Sequence, residues 1–295
     1  MTTFRPRRSG LYMPGSNARA LEKAKTLAAD AVIFDLEDAV APEAKAEARA
    51  QACAAVQSGG YGRRELVIRV NAMSSDWGEA DVAAAAAARP DAILIPKVQA
   101  AGDLATVRTM MDAAGAPPDL ALWAMMETPL AILNAHDIAA AAPANRYPLT
   151  VFVMGTNDLA KETRAELTAD RQPVLAWLSG CVAAARAYRL DILDGVYNNF
   201  RDEEGLRREC EQGRALGMDG KTLIHPGQIG PCNEIFSPGT EEIDWSRKVL
   251  AAFAEPENRG KGVITVEGRM VELLHAEMAR RTVAIAEAIE QLQAA

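Results

Sequence analysis

Residues 31–38 read AVIFDLED, an unbroken apolar run carrying the β-branched Val32 and Ile33 that then breaks into three acids, Asp35, Glu37 and Asp38. A run of this kind suits a strand buried on both faces, as in a parallel sheet, and the acids mark where it leaves the core. Runs of the same type begin near Ser9 (SGLYMP), Glu65 (ELVIRVN), Asp91 (DAILIPKV), Leu120 (LALWAMMET), Leu149 (LTVFVMGTND), Leu190 (LDILDGVYN) and Asp219 (DGKTLIHP). Between them lie Ala-, Glu- and Lys-rich stretches such as ARALEKAKTLAA and EEGLRRECEQGRALG, which have helical composition and turn residues at their ends. The starts recur roughly every 30 residues, the length of one strand–helix unit with its connections. Eight such units predict an α/β fold, a (β/α)8 TIM barrel, with a doubly wound open sheet as the structural competitor.

Within that frame, residues 1–232 are expected to form the catalytic barrel and residues 233–295 a C-terminal extension acting as a lid, a subunit-packing arm, or both. In the extension, SPGTEEIDWSRKVLAAFAE reads as a helix and EPENRGKG as a polar connector. VITVEGRMV reads as short β-structure turning at Glu267-Gly268, and a last helix is expected over roughly Val271 to Leu292. The six alanines Ala83 to Ala88 read as the interior of the helix between the third and fourth strands.

The composition is that of a globular protein, 49% hydrophobic and 24% charged across 295 residues. A net charge of −8 argues against a general nucleic-acid binder, which needs a basic surface. Cys53, Cys181, Cys210 and Cys232 are far apart and form no CxxC pair, as expected of reduced structural thiols in the cytoplasm. No apolar run is long enough to span a bilayer, so no membrane partner is expected. The opening MTTFRPRRSG is basic but lacks the hydrophobic stretch of a secretory signal.

The chemistry collects where the strands end. The ends read Tyr12-Met13-Pro14-Gly15, Asp35-Leu36-Glu37-Asp38, Arg69-Val70-Asn71, Pro96-Lys97, Glu127-Thr128, Asn157-Asp158, Tyr197-Asn198 and His225-Pro226. In a barrel these ends meet on the face that carries active sites. Strand ends become polar wherever they reach water, but that alone does not explain the gathering of Asp35, Glu37, Asp38, Glu127 and Asp158 around Arg69 and Lys97. Crowded like charges are costly unless a cation or protons offset them. A set of carboxylates favours a hard ion with oxygen ligands, Mg²⁺ or Mn²⁺, which takes one or two carboxylates and keeps places for water and substrate. Zinc would want His or Cys, and only the unpaired His136, His225 and His275 exist. Buried structural ion pairs are the alternative reading of the same acids.

The first βα turn, PGSNARALEKA, offers Ser16 or Asn17 as a helix cap and puts Arg19 and Lys23 on one helical face. That arrangement suits a phosphate at a helix N-terminus and equally a solvated basic face. Neither a GxSxG elbow nor a GxGxxG or GxxxxGK[ST] motif occurs.

The segments LYMPGSNARALEKA, VIFDLEDAVAPEAKAEAR, VIRVN, AILIPKV, WAMMETP, VMGTNDLAKE and DGKTLIHPGQI together resemble the citrate lyase β-subunit-like group of the HpcH/HpaI superfamily. That group includes malyl-CoA lyases, citramalyl-CoA lyases and (3S)-malyl-CoA thioesterases. The stretch from Asp194 to Pro226 is most similar to the thioesterase branch. The resemblance implies a barrel assembling as homotrimers or hexamers, with Mg²⁺ on Glu127 and Asp158. It implies that Arg69 holds the substrate carboxylate or carbonyl oxygen beside the main chain of Gly155, Thr156 and Asn157. Tyr12, Arg19 and Lys23 match positions that contact coenzyme A, and Glu37 and Asp38 match positions that bond metal-bound water or orient neighbours. Glu272 matches an acid, Asp in many lyases, that reaches the active site of a neighbouring subunit.

The leading expectation is a Mg²⁺-dependent retro-Claisen lyase that splits a malyl-CoA-like thioester into a 2-oxo acid such as glyoxylate and an acyl-CoA. Arg69 would stabilise developing charge and Glu272 would handle the proton. Hydrolysis of the same thioester to malate and free CoA is the alternative. A noncatalytic or complex-dependent citrate-lyase-like subunit is the reading from another class.

Overall fold

The computed structural model describes residues 4–293; residues 1–3, the start of the basic MTTFRPRRSG segment, and residues 294–295 lie outside the described residues. The chain divides into two compact units, one spanning Arg7–Phe236 and the other built from Ser237 onward with the N-terminal residues through Pro6.

The first unit is a closed barrel of parallel strands in sequential order. Its strands are β1 (Ser9–Pro14), β2 (Ala31–Asp35), β3 (Glu65–Arg69), β4 (Ala92–Ile95), β5 (Ala121–Met126), β6 (Leu149–Met154), β7 (Asp191–Asp194) and β8 (Gly220–Leu223). Four begin at the residue expected from the sequence, and the other four begin one residue later. Closure runs through β1 and β8, pairing Ser9 with Lys221 and Leu11 with Leu223, which excludes the open doubly wound sheet. The alanine run lies within the helix Gly78–Ala88, as expected.

Alternation along each strand explains why these runs are continuously apolar. Ala31, Ile33, Val67, Ala92, Leu94, Trp123, Met125, Val151, Val153 and Leu193 pack together inside the barrel, with Tyr12 against them. The residues between them, among them Val32, Phe34, Ile68, Ile93, Leu122, Phe152 and Ile192, pack outward against the helices. Successive side chains face opposite sides of a strand, so a barrel coated with helices has no polar face to offer.

The same parity sorts the charged residues. At the N-terminal end of the barrel, Glu65 and Asp191 fall on inward positions, and Arg7 joins them. Its Nε lies 2.6 Å from Glu65 Oε2, its Nη1 reaches Asp191, and its guanidinium sits 5.6 Å from the Trp123 ring centre. Asp194 and Lys221 have outward parity and face the helix layer. There Lys221, fully buried, lies 3.1 Å from Asp194 and also reaches Glu209, while Arg171 bonds both oxygens of Asp194 at 2.7 Å.

In the second unit, β9 (Val263–Val266) and β10 (Arg269–Glu272) form an antiparallel hairpin. It turns at Glu267 and Gly268, both with positive φ, as the sequence predicts. Helices Thr240–Ala254 and Leu273–Gln293 pack with it around Val249, Ile264, Val271 and Ala276. The last helix starts later than expected because Val271 is paired with Ile264 in the hairpin. Among the described residues, no helix is long and apolar enough to cross a membrane.

Arg7→Met leaves Glu65 and Asp191 without their shared cation, so equilibrium unfolding in urea should show a loss of about 3 kcal/mol. A change under about 1 kcal/mol would show that water serves these acids instead.

Candidate active site

Inward parity carried past the strand ends brings Asp35, Arg69, Glu127 and Gly155 to one mouth of the barrel. The cavity there has a volume of about 300 Å³. Tyr12, Asp35, Asp38, Arg69, Glu127, Gly155, Thr156, Asn157 and Asp158 line its polar side, with Met125, Met154, Val196 and Ile224 on the rest of the wall.

Arg69 is the fixed point. It stands directly across from Asp35 in the β2–β3 ladder, and the two form a bidentate pair, Nε to Oδ1 and Nη2 to Oδ2, both at 2.7 Å. Asp35 also accepts the main-chain amides of Glu37 at 2.9 Å and Ala39 at 3.1 Å. Although burial works against its charge, Arg69 and those amides hold the Asp35 carboxyl below the usual carboxylate range. Nη1 of Arg69 lies 3.1 Å from Glu37 and 3.4 Å from Asp38, and its guanidinium stacks 4.7 Å from the centre of the Tyr12 ring. Burial pushes the Tyr12 hydroxyl well up, with Arg69 opposing.

Glu37 is buried beneath the cavity wall, bonded through Oε1 to Lys97 Nζ at 2.7 Å. Desolvation raises its pKa despite Arg69 and Lys97. Asp38 is the exposed member, with 61% of its side chain open to solvent.

Glu127 is almost fully buried, and one carboxylate oxygen accepts the main-chain amide of Lys97 at 2.7 Å. Burial first, then the Glu37 and Asp158 charges, push it up to about 8 against the pull of Lys97 and Arg69. Residue 155 has to be glycine, since a Cβ there would lie 2.6 Å from Glu127 Oε2. A similar close approach sets Gly195, whose Cβ would lie 2.5 Å from Thr156 Oγ1. Asn157 and Asn198 exchange two amide hydrogen bonds at the mouth, at 2.8 and 3.1 Å.

The structure thus gathers Tyr12, Arg69, Glu127, Asp158 and the Gly155–Asn157 segment in one cavity, with Glu37 behind it and Asp38 at its edge. Arg19 and Lys23 stand exposed on the helix Ala18–Ala24, outside the cavity wall; Asn17 caps that helix by accepting the Ala20 amide at 3.1 Å. Glu272 belongs to the other compact unit, where it ends β10 and its amide donates to His275 Nδ1 at 3.0 Å. Two site functions escape a reading of residue types. Asp35 is the carboxylate that grips Arg69, which its equal parity and opposed register could have revealed. Lys97 acts through its main chain, which no residue pattern shows.

The family described as HpcH/HpaI aldolase/citrate lyase matches residues 8–226, the whole barrel up to the turn after β8. The chain belongs to this family. It is 53% identical over 290 residues to a (3S)-malyl-CoA thioesterase of Cereibacter sphaeroides, covering 98% of both chains. It is 31% identical to the mitochondrial citramalyl-CoA lyase of Rattus norvegicus, covering 97% of this chain and 88% of the relative. A crystal structure of the protein CitE from Mycobacterium tuberculosis, in complex with magnesium, acetoacetate and coenzyme A, superposes with a TM-score of 0.72. That protein is 28% identical, and the match covers 93% of this chain and 97% of the other. The relatives are enzymes, both lyases and thioesterases, and the chain is an enzyme of the same family.

The raised pKa of Glu127 has a thermodynamic consequence in metal-free protein. Below pH 4.5, the ordinary value, the carboxyl is protonated both folded and unfolded. Between there and about 8 the unfolded chain ionises first, so stability falls as pH rises. Glu127→Gln has no such proton to lose. In chelator its melting temperature should exceed the wild type's by several degrees at pH 8, the gap closing toward pH 4.5. A gap independent of pH would contradict the assignment.

Proposed function

We propose that this enzyme hydrolyses the thioester of (3S)-malyl-CoA to malate and free coenzyme A, using a divalent cation, Mg²⁺ by preference, on Glu127 and Asp158. The observation that carries the reading is the 53% identity, over 98% of both chains, to a protein of that name. The cavity has the chemistry the reading requires. Glu127 and Asp158 are hard oxygen donors, and the Glu127 carboxyl, pushed up to about 8 by burial first and by the Glu37 and Asp158 charges after it, is one whose ionised form a cation would stabilise. Among the described residues no group of three or more His, Cys, Asp or Glu is placed to hold a metal ion, so the reading rests on the two carboxylates alone. Two carboxylates leave the remaining positions to water and substrate oxygens, as Mg²⁺ prefers. Mg²⁺ bound there supplies Lewis acidity to the oxygens of the malyl group.

The chain's own groups do the rest. Arg69 is clamped by Asp35, yet its Nη2 keeps a second N–H beyond that bond, in place for the substrate carboxylate. The clamp sets the fork before substrate arrives, so little entropy is lost in binding. Tyr12 gives Arg69 a flat aromatic floor and leaves the Met125, Met154 and Ile224 wall for the carbon chain. In hydrolysis a carboxylate takes a proton from water, the oxygen attacks the thioester carbon, and the C–S bond breaks to release the thiolate, which is then protonated. The resemblance assigns the proton step to Glu272, and Tyr12, Arg19 and Lys23 to coenzyme A. Assembly as homotrimers or hexamers is part of the same proposal.

Carbon–carbon cleavage is the second reading, favoured by the match to the citramalyl-CoA lyase. Purified enzyme with malyl-CoA and Mg²⁺ separates the two. Malate and free CoA are expected; glyoxylate with acetyl-CoA would replace hydrolysis by retro-Claisen cleavage, and neither product would sink both readings. Glu127→Ala and Asp158→Ala should each lower kcat/KM by more than about 100-fold, beyond the usual effect of outer-shell changes. Glu272→Gln should lose turnover while keeping Mg²⁺ binding.

A further inference from the structure

Several non-glycine residues among those described adopt positive φ, and most have a local reason. Arg89 and Arg164 close helices, Arg171 opens a 3-10 turn and Glu267 makes the hairpin bend. Lys97, at φ 53, has none of these: it follows β4 by two residues, where no helix ends, and the next helix starts only at Ala101. A side chain is disfavoured in that region, and such a conformation persists only where its surroundings impose it.

The surroundings are those of the site. The Lys97 amide donates to Glu127 Oε1 at 2.7 Å, while the side chain leaves in another direction to Glu37 Oε1, also at 2.7 Å. Beside the other oxygen, Oε2, Gly155 leaves free the space that a Cβ would take. Glu127 is therefore held between a main-chain donor and a glycine. One oxygen is committed to the protein, and the other stays with the cavity that Asp158 shares.

We propose that Lys97 is a positioning residue: its left-handed backbone aims the amide that fixes the Glu127 carboxylate for cation binding, and its ammonium separately neutralises Glu37. This rests on the metal reading given above. The role of the residue at position 97 is conformational first and ionic second, so glycine, not a charged or bulky residue, is its best substitute at the metal site.

The test is Mg²⁺ affinity by calorimetry on full-length protein without thioester, comparing wild type, Lys97→Gly, Lys97→Ala and Lys97→Val. All three variants lose the ammonium, so differences among them isolate the backbone. Glycine adopts the left-handed conformation freely, alanine less so, and a β-branched residue least. Lys97→Gly should bind Mg²⁺ at least about tenfold more tightly than Lys97→Val, the scale of one hydrogen bond to a charged group, with Lys97→Ala between. Metal-free melting curves identify any variant that fails to fold, and the glycine–alanine difference then still decides. Equal affinities across the series would overturn the proposal and leave the metal reading standing. A wild type that binds no Mg²⁺ would overturn the metal reading, and this proposal with it.

Discussion

Closing eight parallel strands into a barrel sends every second side chain into an interior without water, so the charges at its two ends must answer for one another. At the N-terminal end they do. Arg7 sits between Glu65 and Asp191 and against Trp123, and none of these residues lines the cavity at the other mouth. At the C-terminal end the balance fails. Among the described residues Asp35, Glu37, Asp38, Glu127 and Asp158 outnumber their cations Arg69, Lys97 and the nearby Lys45, and Glu127 is pushed up furthest, by burial first and then by the Glu37 and Asp158 charges. The same fold thus has a sealed end and an unsatisfied one, and the unsatisfied one is where a cation is wanted.

That this surplus is not careless packing is shown by the charges outside the barrel. Asp194, Lys221 and Arg171 are buried between β7, β8 and the helix layer beside the half-buried Glu209, and each finds an opposite partner within hydrogen-bond distance. Lys221 and Asp194 are register partners between β7 and β8, so this network ties the last two strands of the barrel together. Where a buried charge serves only the fold, it is paired. Removing one member would strand the other, which makes such networks costly to break and indifferent to ligands.

The strands were legible because burial on both faces leaves few ways to write them: eight apolar runs, each ending in polar residues, point to a parallel α/β fold, and the β1–β8 pairing decides the barrel over the open sheet. The acids at the ends of β2, β5 and β6 followed from those boundaries. The Arg69–Asp35 clamp was legible in principle, because equal parity on neighbouring strands sets the two opposite one another. Other features depend on backbone angles or on loops meeting across space. Nothing in IPKV announces that Lys97 turns left-handed. Asn157, in the first turn of the helix after β6, clasps Asn198 in the loop after β7, and Cys232 lies buried with its thiol on the Arg8 carbonyl, far away in sequence. Val271 reads as helix from composition and lies in a strand because a hairpin partner was available.

The cavity's asymmetry bears on why one family holds both lyases and thioesterases. Its charged groups come from the ends of β2, β3, β5 and β6, while Val196, Thr222 and Ile224 from the β7–β8 side are apolar or neutral. On the proposed reading the acid end of the substrate therefore belongs with Arg69 and the cation-binding carboxylates, and the thioester lies toward the neutral side. Carbon–carbon cleavage and hydrolysis make the same demand on the charged half, which must hold a carboxylate and its neighbouring oxygen. They part at the thioester: one needs the carbonyl dry enough for an enolate to persist, and the other needs a water within reach of the carbonyl carbon. The charged half is then compatible with either reaction. On the proposed reading the choice between them falls to the neutral half, where water must either be kept from the thioester carbonyl or be given to it.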